Sequence, residues 1–298
     1  MPDPKELNGF AVDLGGTKTA AARILDGQIA DRVVAPTDGN AAPGNQVDAM
    51  AILLKSIGYH SGDRLGVAIT GRVDSSGMWH AINQTTLAKV RDVPLAKNIA
   101  DAIGPATVAN DAAVATLAEA KLGSGRGCEN FGYITVSTGV GGGLFLGGRL
   151  HQSANGLAGH IGFSSSSLGT EMCGSGRRST VESVASGNAI ARAAAAAGHN
   201  GLDARDVFER ANSGDEWAVA LVDRSARAVS DLCADLTTVL GLEVVALGGG
   251  IGMADGYLEN VQKHLAKLPQ LFQPKLTHSS LGHDAPLLGA LLMTWHEV

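Results

Sequence analysis

The sequence predicts an α/β fold built by duplication, with a cleft between two halves. Two segments share one organisation, helical patterns follow each, and the 298-residue chain is long enough for two cores of ordinary size. In the first copy an apolar run, Phe10 to Asp13, ends at Gly15-Gly16. A second run, Ala20 to Leu25, meets Asp26-Gly27, a two-residue hairpin signal, and Ile29 to Val34 follows. The second copy runs from Tyr133 to Val136, breaks at Gly139 to Gly143 and resumes at Leu144 to Leu146. Gly147-Gly148 then supplies its hairpin before Leu150.

The intervening elements follow from local signals. Val47 to Ile57 has helical periodicity, and Leu65 to Ile69 and Ala106 to Ala109 read as short buried strands. Asn110-Asp111 precedes a helix over Ala112 to Leu122 that stops at Gly123, as favoured caps require. Val181 to Ala197 and Glu216 to Leu240 read as helices, the latter with an apolar stripe through Val219, Leu221, Val222, Val229, Leu232 and Leu236. Val244 to Leu247 is a buried strand, and the closing helix, Ala285 to Trp295, is expected to pack on the first half. The expected lobes are 1–111 with 286–298, and 112–285.

Composition narrows the function. Lys and Arg number 23 against 29 Asp and Glu, and no basic run offers a footprint for nucleic acid. The opening residues lack a charged and apolar leader, and the uncharged stretch from Phe131 to Gly148 carries too many glycines for a membrane helix. Cys128, Cys173 and Cys233 are odd in number and far apart, which argues against a disulfide framework. A soluble cytoplasmic protein is expected, with neither nucleic acid nor membrane as partner. Glycine, at 40 residues, is well above the usual share of about 7 %.

The P-loop, Rossmann and protein-kinase signatures are absent. Asp13-Leu14-Gly15-Gly16-Thr17-Lys18 instead combines a carboxylate at a strand tip with amides, a hydroxyl and an ammonium suited to phosphate and hydrated Mg²⁺. The same glycines also suit a plain hairpin. Thr138, Gly139, Gly141 and Gly142 belong to an equivalent turn, where a phosphate against the backbone would explain the glycine excess. Gly248 and Gly249 follow a strand and offer a surface for adenosine. Asp111, at a helix start, suits a general base for a hydroxyl attacking a γ-phosphate, and it also suits a simple cap. His160 and Glu182 complete the set.

In order and spacing this set resembles the sugar-kinase branch of the ROK family. The match lies in D-L-G-G-T-K at 13–18, A-N-D at 109–111, S-T-G-V-G-G-G at 137–143, G-L-A-G-H-I-G at 156–162 and V-E-S-V-A-S-G at 181–187. The two motifs at 137–143 and 156–162 are most similar to its N-acetylmannosamine-phosphorylating subgroup. The resemblance implies an actin-like ATPase fold of two ribonuclease-H-like lobes, and transfer of the ATP γ-phosphate to the sugar 6-hydroxyl. It implies Asp111 as catalytic base, and Asn110, Glu182 and His160 as sugar contacts. Gly71, Arg72, Asn83 and Thr85 match a sugar-side loop, and the glycine turns match phosphate sites. ATP and Mg²⁺ are the implied cofactors, and a homodimer is the family habit. A glucokinase or broad hexose kinase is the alternative, although family glucokinases usually have Glu where this chain has His160. A sugar-responsive regulator would carry a DNA-binding arm, and only about eight residues precede the first strand. The family's zinc site, a histidine and three cysteines, is replaced here by Phe163, Cys173, Ser175 and Thr180, so no structural zinc is expected.

Overall fold

The computed structural model describes residues 6–82, 87 and 89–295. Its strands and helices begin with β1 (Gly9–Leu14), β2 (Lys18–Leu25), β3 (Gln28–Pro36), α1 (Pro43–Ser56), β4 (Leu65–Ile69), β5 (Arg72–Val73) and β6 (Trp79–His80). Next come α2 (Leu95–Ala102), β7 (Thr107–Asn110) and α3 (Asp111–Lys121). The second series is β8 (Phe131–Val136), β9 (Val140–Leu146), β10 (Arg149–Leu150), α4 (Glu182–Ala185), α5 (Gly187–Ala196), α6 (Ala204–Asn212) and α7 (Glu216–Leu240). It continues through β11 (Val244–Gly248), α8 (Gly249–Gly252), α9 (Tyr257–Leu265) and β12 (Lys275–His278), and α10 (Ala285–Met293) closes the chain.

Two sheets of one order result. The first is β3-β2-β1-β4-β7 and the second β10-β9-β8-β11-β12. In each, a three-strand antiparallel meander is extended by two parallel strands, the ribonuclease-H-like arrangement. The hairpin turns behave as their residues require. Asp26 and Gly27 have φ of 51° and 73°, and Gly147 and Gly148 have 56° and 78°, the doubly left-handed turn that matches strand twist.

The chain forms two units, 1–126 with 150–159 and 281–298, and 127–149 with 160–280. α3 therefore falls in the first unit, not beyond the expected boundary at 111. Each unit has its own apolar core. Val12, Leu14, Met50, Val67 and Trp79 are among the residues that fill the first. Ile134, Val136, Val229, Leu247 and Tyr257 are among those in the second. In the first unit α10 is buried on nearly all sides and packs on α3, β1 and β4. It comes so close that a Cβ on Gly66 would fall on the Ala290 carbonyl, and one on Gly289 on the Val114 carbonyl. The fully buried Glu119 fastens this region, accepting from the Ser124 N–H and hydroxyl and from the Leu281 N–H, each at 2.8–2.9 Å.

Three local expectations change. α1 begins at Pro43, because proline suits a first helical turn whose N–H groups have no partner. The helix expected over 181–197 is broken at Ser186, whose extended backbone and side chain cap α5 through the Ala189 N–H. The break lets Gly187 and Asn188 donate to the Ser137 and Thr138 carbonyls. The glycine break expected at 139–143 is mostly strand, with Gly141, Gly142 and Gly143 paired to Thr135, Ile134 and Tyr133. Among the described residues, no helix is long and apolar enough to cross a membrane.

Candidate functional site

In the first unit, parallel strands β1, β4 and β7 end level with one another: Leu14 pairs with Ile69, and Ile69 with Asn110. Ligand sites in parallel sheets lie beyond such carboxyl ends. Asp13, Gly71 and Asp111 are carried there. Asn110, not Asp111, is the cap of α3, its Oδ1 accepting from the Ala113 N–H at 3.0 Å. Its amide nitrogen donates to the Gly71 carbonyl at 2.8 Å and to Asp111 Oδ1 at 2.9 Å. Asp111 is the first helical residue, and the same Oδ1 accepts from the Ala112 N–H at 2.8 Å.

Burial pushes the Asp111 carboxyl up to about 6, against the lowering effect of these hydrogen bonds. Burial, and then the charge of Asp111, push Asp13 up to about 7, while Arg32 pulls it down. Arg32 is itself held at 2.8 Å by Asp284. Both carboxyls bind protons more tightly folded than unfolded. Their effect on stability is therefore least adverse below about pH 4 and most adverse above about pH 7. A base at Asp111 works only when deprotonated. The expected kcat/KM profile rises about tenfold per unit up to a limb near pH 6. A limb near pH 4 in kcat/KM for the sugar would contradict the assignment.

Lys18 and Thr17 follow Asp13 on the β1–β2 turn, where the Gly15 N–H donates to the Lys18 carbonyl at 3.0 Å. Gly15 and Gly16 belong to this turn, and a Cβ on Gly15 would lie 2.9 Å from that carbonyl. The Arg72 guanidinium donates to the Asn155 carbonyl, which ties the 153–157 segment to β5. Asn83 and Thr85 lie outside the described residues.

The second unit gathers another group. Glu182 Oε2 accepts from the Val140 N–H at 3.1 Å, and a Cβ on Gly139 would lie 2.8 Å from the same oxygen. The carboxylate thus closes on the turn that contains Thr138. His160 stacks on Phe163, with ring centroids 5.9 Å apart and planes within 19°. The residue at the family's zinc histidine is therefore its aromatic neighbour. Cys173 Sγ pairs with the Ser175 hydroxyl at 3.0 Å, and Thr180 Oγ1 accepts from the Ser183 N–H at 3.1 Å. One thiol with two hydroxyls and a phenyl ring does not fit a closed zinc site.

Packing accounts for much of the glycine excess. A Cβ on Gly142 would meet Ile161 Cδ1 at 2.5 Å, as well as the Tyr133 carbonyl. One on Gly248 would meet the Tyr133 ring, and Gly249, at φ +80°, would crowd Thr135 and the Val136 carbonyl. These glycines let strands and ring pack, so a bound phosphate is not needed to explain them. The turn free to serve a phosphate is the shorter one, Ser137 to Gly139. Sequence reasoning missed the cluster next to Gly71 and Arg72 in which His80 contacts both Asp74 and Asp92. Its one local signal is Asp74-Ser75-Ser76-Gly77, a turn-forming run.

The ROK family pattern matches residues 9–297. A protein of Escherichia coli O139:H28 named N-acetylmannosamine kinase is 42 % identical over 98 % of this chain and 99 % of its own. The ROK hexokinase of Thermus thermophilus superposes with a TM-score of 0.83 at 33 % identity, covering 96 % of this chain and 97 % of that one. The ROK glucokinase of Streptomyces griseus, in complex with glucose and AMPPNP, gives 0.82 at 27 % identity, covering 96 % and 98 %. The fold is the actin-like ATPase fold, with two ribonuclease-H-like lobes. Matched in sequence from end to end, the chain belongs to the ROK family.

Proposed function

We propose that this protein transfers the γ-phosphoryl group of ATP to the 6-hydroxyl of N-acetylmannosamine, giving N-acetylmannosamine 6-phosphate and ADP. The observation that carries the chemistry is the Asp111 carboxyl, oriented by Asn110 and Ala112 and raised to about 6. It is ionised at neutral pH yet basic enough to accept a hydroxyl proton. The sugar is supported by the 42 % identical relative's name and by the motifs around Gly139 and His160. The reaction calls for the cytoplasm, where ATP is supplied.

In the reaction the sugar oxygen bonds to the γ-phosphorus as the bond to the bridging oxygen of ADP breaks. The hydroxyl proton passes to Asp111. Asn110 holds Asp111 Oδ1 on one side and the Gly71 carbonyl on the other, so base and sugar-side turn keep one geometry. Glu182 and His160 are the assigned ring-hydroxyl and acetamido contacts. Thr17, Lys18, Gly15, Gly16, Thr138 and Gly139 are assigned to phosphate. Gly248 and Gly249 are assigned to the nucleoside.

Asp13 fits a cation, because the charge of Asp111 helps push its carboxyl up and a divalent ion would reverse that effect. Asp13 is the residue that would hold Mg²⁺ arriving with the nucleotide. There it would neutralise charge developing on the phosphates.

A coupled assay across N-acetylmannosamine, N-acetylglucosamine, glucose and mannose tests the substrate. N-acetylmannosamine is expected to exceed glucose in kcat/KM by at least about tenfold, since a polar group left unpaired in a fitted site costs about 1–3 kcal/mol. Preference for glucose would replace this reading with a hexokinase. His160→Glu is expected to narrow the ratio.

A further inference from the structure

We propose that His80, gripped between Asp74 and Asp92, is a positioning residue that sets the sugar-side turn at Gly71 and Arg72. The inference rests on the functional reading above, which assigns that turn to the sugar.

His80 Nε2 lies 3.1 Å from Asp74 Oδ2, and Nδ1 lies 2.7 Å from Asp92 Oδ1. A carboxylate only accepts, so each contact is complete when the facing nitrogen carries a proton. The two carboxylates come from the chain before and after β6. Asp74 ends the β5 side, and its other oxygen takes three hydrogen bonds: the Ser76 hydroxyl at 2.6 Å, the Ser76 N–H at 3.0 Å and the Met78 N–H at 3.1 Å. Hydrogen bonds from Ser76, and then from His80, hold Asp74 well below the usual carboxylate range. Asp92 comes from the returning chain, where the backbones of Trp79 and Val93 exchange hydrogen bonds at 2.7 and 3.0 Å.

His80 is the strand partner of Arg72, so fixing its ring fixes the strand that pairs with the turn. Gly71 has φ +104°, and a Cβ there would stand 2.9 Å from the His80 carbonyl. The same Gly71 accepts from Asn110, which holds Asp111. Arg72 and the Ser75 N–H hold the carbonyls of Asn155 and Ala154. Among the described residues, the imidazole's polar contacts run to Asp74 and Asp92. It stiffens the backbone that carries Gly71 and Arg72. Loss of that grip is expected to weaken sugar binding while leaving the nucleotide turns and the base in place.

The test compares three folded variants with the wild type. His80→Gln reaches only one carboxylate, and it is expected to raise the sugar KM roughly tenfold, with ATP KM and kcat within about twofold. Asp92 has φ +49°, so Asp92→Gly removes the carboxylate and relieves the backbone at once, and a rise in sugar KM there owes nothing to misfolding. Asp92→Asn keeps an acceptor and tolerates that φ, and it is expected to return the sugar KM to within about threefold of wild type. An unchanged sugar KM in folded His80→Gln overturns the inference alone. So does an equal rise in ATP KM, or a fall in kcat without a change in KM. A wild type that phosphorylates no sugar overturns the functional reading and the inference with it.

Discussion

Asp111→Asn is expected to lower kcat by about 10²–10⁴ while sugar binding survives, equivalent to roughly 2.7–5.5 kcal/mol of transition-state stabilisation. The substitution is near-isosteric, and the cap of α3 is untouched because Asn110 provides it. An asparagine oxygen at 111 can accept from the same two donors, the Asn110 amide and the Ala112 N–H. Only the proton acceptor is lost, together with a charge that disfavours ionised Asp13. Stability at neutral pH is therefore expected to hold or rise. Single-turnover kinetics and sugar titration calorimetry separate the two effects. A loss under tenfold, with sugar binding intact, would mean that Asp111 is not the base.

The second large effect concerns folding. Gly289→Val would drive two methyl groups and a Cβ into the Val114 carbonyl, where α10 meets α3 backbone to backbone. A flexible side chain swings aside at little cost, but a helical carbonyl in a packed core does not. Either α10 lifts from β4 and uncovers Leu287, Leu291 and Leu292, or α3 shifts and takes Asp111 with it. The expected loss is at least about 3 kcal/mol, a fall in Tm of about 6–12 °C if unfolding is two-state. Gly250→Ala is the control. It has open space around its missing Cβ and no positive φ, so its Tm is expected to move by less than about 2 °C. Equal Tm values for both variants would show that the α10–α3 approach is not tight.

The meanders were legible in sequence because their signals are local. Apolar runs mark β1 and β8, and Asp26-Gly27 and Gly147-Gly148 mark turns whose φ values few other residues adopt. Asp111 stood out as a candidate base mainly through its place in a resembling set, since at a helix start it reads equally well as a cap. Contacts between distant residues were not legible. Nothing near Gly66 in sequence announces that Ala290 will lie against it, and nothing near Ser186 says that the carbonyls of Ser137 and Thr138 will take the α5 amides. The glycines at 141, 142, 248 and 249 illustrate the cost. The glycine clusters suggested phosphate at 141 and 142 and adenosine at 248 and 249, whereas at 142, 248 and 249 the room a side chain would need is taken by Tyr133, Ile161 and Thr135. The His80 grip stayed hidden for the same reason, because its two carboxylates lie six residues before it and twelve after it.

The closing helix also reverses the order in which the molecule is completed. A ribosome makes 1–126 before the second unit, yet the first unit includes 281–298, which appear only after the second. Until α10 emerges, nothing in the nascent chain covers the faces of β4 and α3 that it will occupy. Glu119 likewise waits for the Leu281 N–H. The second unit is continuous from 160 to 280, apart from its strands at 127–149, and all of it has been made before the first can finish. Asp111 sits on the helix that waits. A truncated chain that stops short of residue 285 is thus not merely shortened: it releases an open apolar face, a feature that chaperones and proteases recognise.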